Sequence, residues 1–401
     1  MRRTIRKINL TNFFQLFGGI VMIKNVYDCI IVGAGTMGMA TGAFLTKKGV
    51  KPLMIDAFHP PHTHGSHHGE TRMIRHAYGE GRQYVQLVQR AQELWEDLET
   101  TTSYKIFEKT GVLGMGAKTS SFLQETIEAA SNYALPLDIL SAQDIMQKWP
   151  GITLPEHFIG CLEPGAGVLF SEHCLQAYKE VALAGGAELI GGEPVIDIDY
   201  SDHPLKVTTK NNSYYGEKVI VTAGAWTDKL LQHLDLPIQP IRKVFGWFDA
   251  PDPLYAATAQ FPSFYIDEGT RMFYGFPVLN KNGLKIGRTD GGQPTDPDQH
   301  KQNFGTYAID EQELRDCLGE YLPQANGTLL QGRTCLQMRS IDSHFVIDEH
   351  PHHPHVLMAT GFSGHGFKFA SVIGEALSEW TVHGTTQHDL SLFSLKRFAT
   401  T

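Results

Sequence analysis

The stretch Asp28-Cys29-Ile30-Ile31-Val32-Gly33-Ala34-Gly35-Thr36-Met37-Gly38 decides the fold of this chain. Cys29 to Val32 is an apolar run bounded by glycine, which suits a strand buried on both faces of a parallel sheet. A helix-compatible segment follows to Lys48, with Gly49 as its C-terminal cap. Leu53-Met54-Ile55 then reads as a second strand ending in Asp56. In such a unit Gly33 permits the tight turn, Gly35 lets the backbone approach a pyrophosphate, and Gly38 lets helix and sheet pack closely. The helix N-terminus offers unpaired N–H groups to the phosphates, and Asp56 offers a carboxylate to the adenosine ribose. A lone Gly-x-Gly-x-x-Gly is weak evidence. Here it lies between a strand and a helix and has an acid at the right distance, which predicts a dinucleotide-binding unit without choosing between NAD and FAD. Lys218-Val219-Ile220-Val221-Thr222, running into Ala223-Gly224-Ala225-Trp226, reads as a third strand of the unit. Its small residues suit either a ligand or an ordinary strand-to-helix turn.

The chain has 401 residues, enough for two sizeable cores. A net charge of -9 argues against a nucleic-acid partner, because nothing supplies a basic face to neutralise phosphates. It permits an anionic substrate, since a few buried cations set the local field of a cleft. Five scattered cysteines with no Cys-x-x-Cys make no disulfide framework and point to a reducing, cytoplasmic setting. At the start, Arg2, Arg3, Arg6 and Lys7 precede an apolar run from Phe13 to Ile23, which has the charge and hydropathy of a signal peptide but no small-residue cleavage site. The run is too short to span a bilayer, so no membrane association is expected. Residues 1–21 are read as an extension ahead of a functional start at Met22.

Beyond Asp56 the loop from Phe58 to His68 is dense in proline, glycine and histidine. It has neither a His-Glu-x-x-His helix nor a nearby cysteine ligand, so no metal is expected there. Arg72, Arg75 and Tyr78 follow at three-residue spacing, and a helical or near-helical turn would project all three to one side. Two buried guanidinium groups need anions, either a ligand or a structural partner such as Glu70 or Glu80. Tyr84, Val88, Ala91, Trp95 and Leu98 recur at helical spacing between residues 83 and 99 and read as core. Lys285, in Gly283-Leu284-Lys285-Ile286-Gly287, is out of place in an apolar strand and either snorkels to solvent or works inside a cleft. Cys335, in Gly332-Arg333-Thr334-Cys335-Leu336-Gln337, is by default a small buried hydrophobe. Gly361-Phe362-Ser363-Gly364-His365-Gly366-Phe367-Lys368 follows a strand, Val356 to Ala359, and opens a helix through Ser371 to Trp380. Its three glycines give backbone N–H groups access to a ligand, or make a tight connection only.

Taken together, the segment from Gly65 to Gly81, Cys335 and the Gly361–Lys368 loop resemble the monomeric sarcosine oxidase family, and within it most resemble its N-methyltryptophan-oxidising members. The resemblance runs from about Tyr27 to Phe398. It implies an α/β fold in which a Rossmann-like FAD-binding domain (22–104, 166–236 and 337–401) is interleaved with a mainly antiparallel-sheet substrate domain (105–165 and 237–336). It implies a monomer that oxidises a secondary amino acid with O2, carrying FAD joined covalently to Cys335. Arg72 would lie beside the flavin, Arg75 and Lys368 would hold the substrate carboxylate, and His365 would lie near the flavin edge. Lys285 would stabilise charge as electrons reach oxygen, and Tyr274 would face the substrate. Gly33, Gly35, Gly38, Asp56, Gly361, Gly364 and Gly366 would hold the cofactor. Sarcosine oxidases carry a histidine where this chain has Thr289 and a tyrosine where it has Gln337, so the identity of the amine stays open. N-methyltryptophan leads and sarcosine is the alternative. A flavin dehydrogenase with another acceptor, an NAD enzyme and a non-catalytic nucleotide module are the rival readings. The last would not need Arg75, Lys285 and Lys368 together.

Overall fold

The computed structural model describes residues 25–299 and 303–398. The expected extension at 1–21 and the start at Met22 lie outside the described residues. The glycine motif opens a six-stranded sheet ordered Glu188–Gly191, Leu53–Asp56, Ile30–Val32, Val219–Val221, His353–Thr360, Val346–His350. The first five strands are mutually parallel and the last is antiparallel. Residues alternate between its two faces. Cys29, Ile31, Met54, Ile220, Leu357 and Ala359 pack under helices Thr36–Lys47, Ser171–Ala184 and Ala370–His383. Ile30, Val32, Leu53, Ile55, Val219 and Val221 pack against Ile198, Leu205 and Val207 of a small four-stranded sheet. Both faces being covered is why these short strands read as continuous apolar runs.

The second large sheet is mainly antiparallel, as expected. Its order is Gln293–Pro294, Ile238–Phe248, Leu284–Arg288, Met272–Phe276, Ser263–Asp267, Val112–Ala117, Phe158–Glu163, Asp138–Ser141, and Leu329–Ser340 pairs along Ile238–Phe248. Only the Ser263–Asp267 and Val112–Ala117 pair is parallel. Helix Ile309–Tyr321 covers one face, locked by a buried pair in which Arg242 donates to both carboxylate oxygens of Asp310, at 2.8 and 2.7 Å.

The amphipathic stripe from Tyr84 to Leu98 lies on helix Val85–Thr101 and the residue before it, and all five of its members are buried. One expectation is corrected. Residues Thr71–Ile74 form a strand that pairs antiparallel with Gly167–Phe170, so Arg72 and Arg75 do not lie on a helical turn. Three-residue spacing is ambiguous in so short a segment, and the cross-strand partner that settles it lies almost a hundred residues away. Arg75 and Tyr78 still meet, because the chain turns after Ile74 and brings the guanidinium carbon 4.5 Å from the Tyr78 ring centre.

Candidate active site

A cavity of about 760 Å³ runs between the two large sheets. One end is lined by Gly33, Gly35, Asp56, Phe58 and Trp226, and the other by Arg75, Tyr265, Tyr274, Gln337 and Lys368. The first end is built by the glycine motif. Gly33 has φ +94°, and a Cβ there would lie 2.5 Å from the Thr222 carbonyl oxygen. A Cβ on Gly38 would lie 2.0 Å from the Gly33 carbonyl oxygen, so that glycine serves helix packing and does not line the cavity. Gly35 faces open space, its nearest neighbour being His67 Nδ1 at 3.8 Å. Helix Thr36–Lys47 has no side-chain N-cap, which leaves its first-turn N–H groups to a ligand. The Asp56 carboxylate accepts hydrogen bonds from the Ala34 and Phe58 N–H groups at 2.8 and 2.9 Å, which fixes it at the cavity wall. Trp226 stands on a single 3-10 turn after strand Val219–Val221, so the third strand of the unit does end at the cavity.

The far end concentrates positive charge. Lys368 is buried, and its Nζ donates to Tyr78 Oη at 3.2 Å and to the His365 carbonyl at 3.1 Å. Burial, then Arg75, lowers its pKa to about 7, against the opposing pull of Glu80. Burial also lowers His365 to about 4; its Nδ1 pairs with Tyr78 Oη at 2.8 Å and its Nε2 with the Ser343 carbonyl at 3.1 Å. Arg75 is buried and donates to Glu80 Oε2 at 2.5 Å, the structural partner that the sequence left open. Burial opposes charge on both partners, yet Arg75 is held above its usual range and Glu80 is drawn down to about 2. The pair is ionised.

Arg72 lines the cavity beside Met73, anchored by the carbonyls of Thr71 and His68, each at 2.7 Å. Tyr274 faces the same space from the Met272–Phe276 strand. Lys285 sits just behind the wall. Its Nζ donates to the Gly69 and Thr71 carbonyls at 2.5 and 3.1 Å and lies 4.8 Å from the Phe245 ring centre. Burial, then Arg72, pushes its pKa well below the usual lysine value. Gly364 and Gly366 line the cavity, whereas Gly361, at φ +63°, makes the turn behind it. Cys335 lines the cavity but is buried, and burial raises its pKa; Arg72, Lys243 and Lys285 oppose that rise. Tyr265 and Phe122, which line the cavity, were not singled out by the sequence. Tyr265 is in register with Tyr274, a pairing visible only in the sheet, and places its ring 5.4 Å from the Arg75 guanidinium carbon.

These residues fit FAD. An uncapped helix N-terminus, an open glycine and a fixed carboxylate suit its adenosine and phosphates, and the cationic end suits a ring that gains negative charge. Fold and cavity together define a dinucleotide-dependent oxidoreductase. Residues 28–380 match the family described as FAD dependent oxidoreductase. The chain is 50% identical over 374 residues to a monomeric sarcosine oxidase from Bacillus sp. (strain B-0618), covering 92% of this chain and 96% of that protein. It is 40% identical over 375 residues to an N-methyl-L-tryptophan oxidase from Salmonella heidelberg (strain SL476), covering 93% and 99%. The chain therefore belongs to the FAD dependent oxidoreductase family and, within it, to the monomeric sarcosine oxidase family. Among solved structures, NikD, an unusual amino acid oxidase essential for nikkomycin biosynthesis, superposes with a TM-score of 0.81 at 21% identity, covering 92% of this chain and 98% of that one. That likeness bears on the fold alone.

Proposed function

We propose that the protein oxidises an N-methyl amino acid with O2 and that water hydrolyses the resulting imine, giving the demethylated amino acid, formaldehyde and hydrogen peroxide. The observation that carries this is the convergence of Arg75 and Lys368 on Tyr78 at the end of the cavity away from the glycine motif. Cations gathered at one end of a cavity hold an amino acid by the carboxylate every amino acid has, with Arg75 shared between Glu80 and the substrate, and positioning then supplies much of the rate. Bound FAD would supply the two-electron oxidation and deliver the electrons to O2. Arg75 and Lys368 orient the carboxylate, and Tyr274 and Tyr265 exclude water from the amine. Arg72 places a fixed positive charge at the cofactor. Lys285, held by two backbone carbonyls behind the wall, keeps a proton donor where oxygen gains charge.

Covalent attachment through Cys335 belongs to this proposal, supported by the thiol's place on the cavity wall with Arg72, Lys243 and Lys285 about it. So does the division into a FAD-binding domain (22–104, 166–236, 337–401) and a substrate domain (105–165, 237–336), which the two large sheets support. A monomer accords with the name of the monomeric sarcosine oxidases that the chain resembles, and a cytoplasmic setting with five free, buried cysteines. Two amines compete. The higher identity to sarcosine oxidases favours sarcosine, and Thr289 and Gln337 on the cavity wall favour a reshaped pocket and N-methyl-L-tryptophan.

The test is the visible spectrum of the purified protein before and after acid precipitation, followed by anaerobic addition of each amine. Yellow colour that stays with the precipitate and bleaches with amine is the expected result, and the relative bleaching rates rank the two substrates. Flavin that neither amine bleaches would overturn the proposed reaction.

A further inference from the structure

The sheet that carries Cys335 presents to it a cation that no motif announces. Lys243, in strand Ile238–Phe248, stands in register opposite Cys335 of strand Leu329–Ser340. Directly opposed residues of an antiparallel pair share a face, with Cβ atoms about 4.5–5.5 Å apart. Two and four residues further along that face, Phe245 and Trp247 form one apolar cluster with Cys335. Lys285 completes the same face, in register opposite Trp247. Lys243 is only 4% exposed. Its Nζ donates to the Thr289 carbonyl at 3.1 Å and to the carbonyl of Asp290. Backbone carbonyls orient an ammonium group without cancelling its charge, so that charge is felt across the strand pair.

We propose that Lys243 is a positioning residue for covalent attachment of FAD, its ammonium charge stabilising the Cys335 thiolate that makes the bond. The inference rests on the covalent reading above. In the step, the Cys335 sulfur bonds to the carbon of the flavin 8-methyl group, a C–H bond of that methyl breaks, and its proton leaves to solvent. The electron pair released is taken up by the bound FAD and passed to O2, giving hydrogen peroxide. A thiol in an apolar cluster is a poor participant, because the thiolate is the nucleophile and burial disfavours it. Burial raises the Cys335 pKa, and the groups that oppose the rise come from three directions: Arg72 from strand Thr71–Ile74, Lys243 and Arg242 from the strand paired with Cys335, and Lys285 from strand Leu284–Arg288. Lys243 itself is lowered to about 8 by burial and then Arg339, with Cys335, Asp290 and Glu313 acting the other way, so most of it is charged at neutral pH.

A purely structural role is the alternative, since the same ammonium pins the Thr289–Asp290 turn. The test uses full-length apoprotein from riboflavin-starved cells, as wild type, Lys243→Met and Lys243→Arg. Alkylation of Cys335 by iodoacetamide is followed from about pH 6 to about pH 10, and acid-stable flavin is followed after FAD is added. The expected result is a thiol titration shifted upward by about one unit in Lys243→Met, which slows alkylation at neutral pH ~10-fold. Covalent incorporation should slow in step, and Lys243→Arg should restore both. Covalent flavin in the wild type with an unshifted titration in Lys243→Met would overturn the role of Lys243 alone. A loss that Lys243→Arg fails to restore, with a lowered melting temperature, would assign the lysine to the turn and overturn it too. Wild-type flavin released by acid would overturn the covalent reading and this role with it.

Discussion

A Cβ built on Gly35 would touch nothing closer than 3.8 Å, whereas one on Gly38 would lie 2.0 Å from a carbonyl oxygen. The two glycines of one motif therefore make different predictions. Gly35→Ala should leave the melting temperature of the apoprotein within a degree or two and abolish tight FAD binding, since the methyl occupies only the ligand's space. Gly38→Ala should destabilise the apoprotein itself by several kcal/mol, because overpacking against backbone forces the helix off the sheet. Thermal denaturation and flavin fluorescence titration separate the two, and equal losses of stability would sink the distinction. Lys285 makes a prediction of another kind. Lys285→Met should slow reoxidation of the reduced enzyme by O2 roughly 10²-fold while anaerobic reduction by amine changes little, as stopped-flow absorbance would record. The three glycines and Asp56 stood out because their spacing between a strand and a helix needs a turn or a ligand, whereas the parts expected of Arg75 and Lys368 came only with the family resemblance. Glu80 could be named only as one of two partners for the arginines. Tyr265 and Phe122 could not be found, since an aromatic residue looks the same in a core as on a cavity wall.

Strands and helices differed in how plainly they could be read. Ile30–Val32 and Val219–Val221 are buried on both faces, so composition alone marks them, whereas Thr71–Ile74 pairs far along the chain and its period is too short to read. Strand Leu329–Ser340 keeps one register with Ile238–Phe248 from Gln331 past Cys335 and Gln337 to Ser340, and shifts only beyond Trp247. It thus carries Cys335 and Gln337, both on the cavity wall, on a single element. Arg242, next in sequence to Lys243, holds this strand pair to helix Ile309–Tyr321 through Asp310, with both side chains at most 1% exposed. Breaking a buried pair by removing one partner leaves an uncompensated charge, so Asp310→Ala should cost about 3–5 kcal/mol. Replacing the pair together, Arg242→Met with Asp310→Leu, should cost much less. Urea denaturation of the three proteins checks this. A double variant as unstable as Asp310→Ala would mean that the remaining contacts of Arg242, to Gln293 and the Asn303 carbonyl, matter more than the pair.

Across the whole molecule, a net charge of -9 surrounds a cavity walled by Arg72, Arg75 and Lys368, with Lys285 behind it and Glu80 as the carboxylate at its cationic end. Lys368 is held there against the cost of its burial, and that cost should be readable in stability. The pKa of Lys368 is lowered to about 7 from an ordinary 10.5. The unfolded chain therefore binds a proton that the folded chain has released between those values. The slope of stability with pH is positive there: Lys368 penalises the fold fully below about pH 7, and the penalty fades as pH rises. A bound carboxylate reverses the preference, because it favours the protonated lysine. Acetate or another carboxylate that cannot be oxidised should thus raise the melting temperature clearly below pH 7 and less at pH 9. A ligand at about 100 times its dissociation constant stabilises by roughly 2.7 kcal/mol, and each unit of pH above the lysine's pKa removes up to about 1.4 kcal/mol of that. Lys368→Met should flatten the pH dependence and leave the weaker contribution of Arg75. Stabilisation by acetate that is equal at both pH values in the wild type would show that Lys368 does not face the carboxylate, and the clamp would then rest on Arg75 alone.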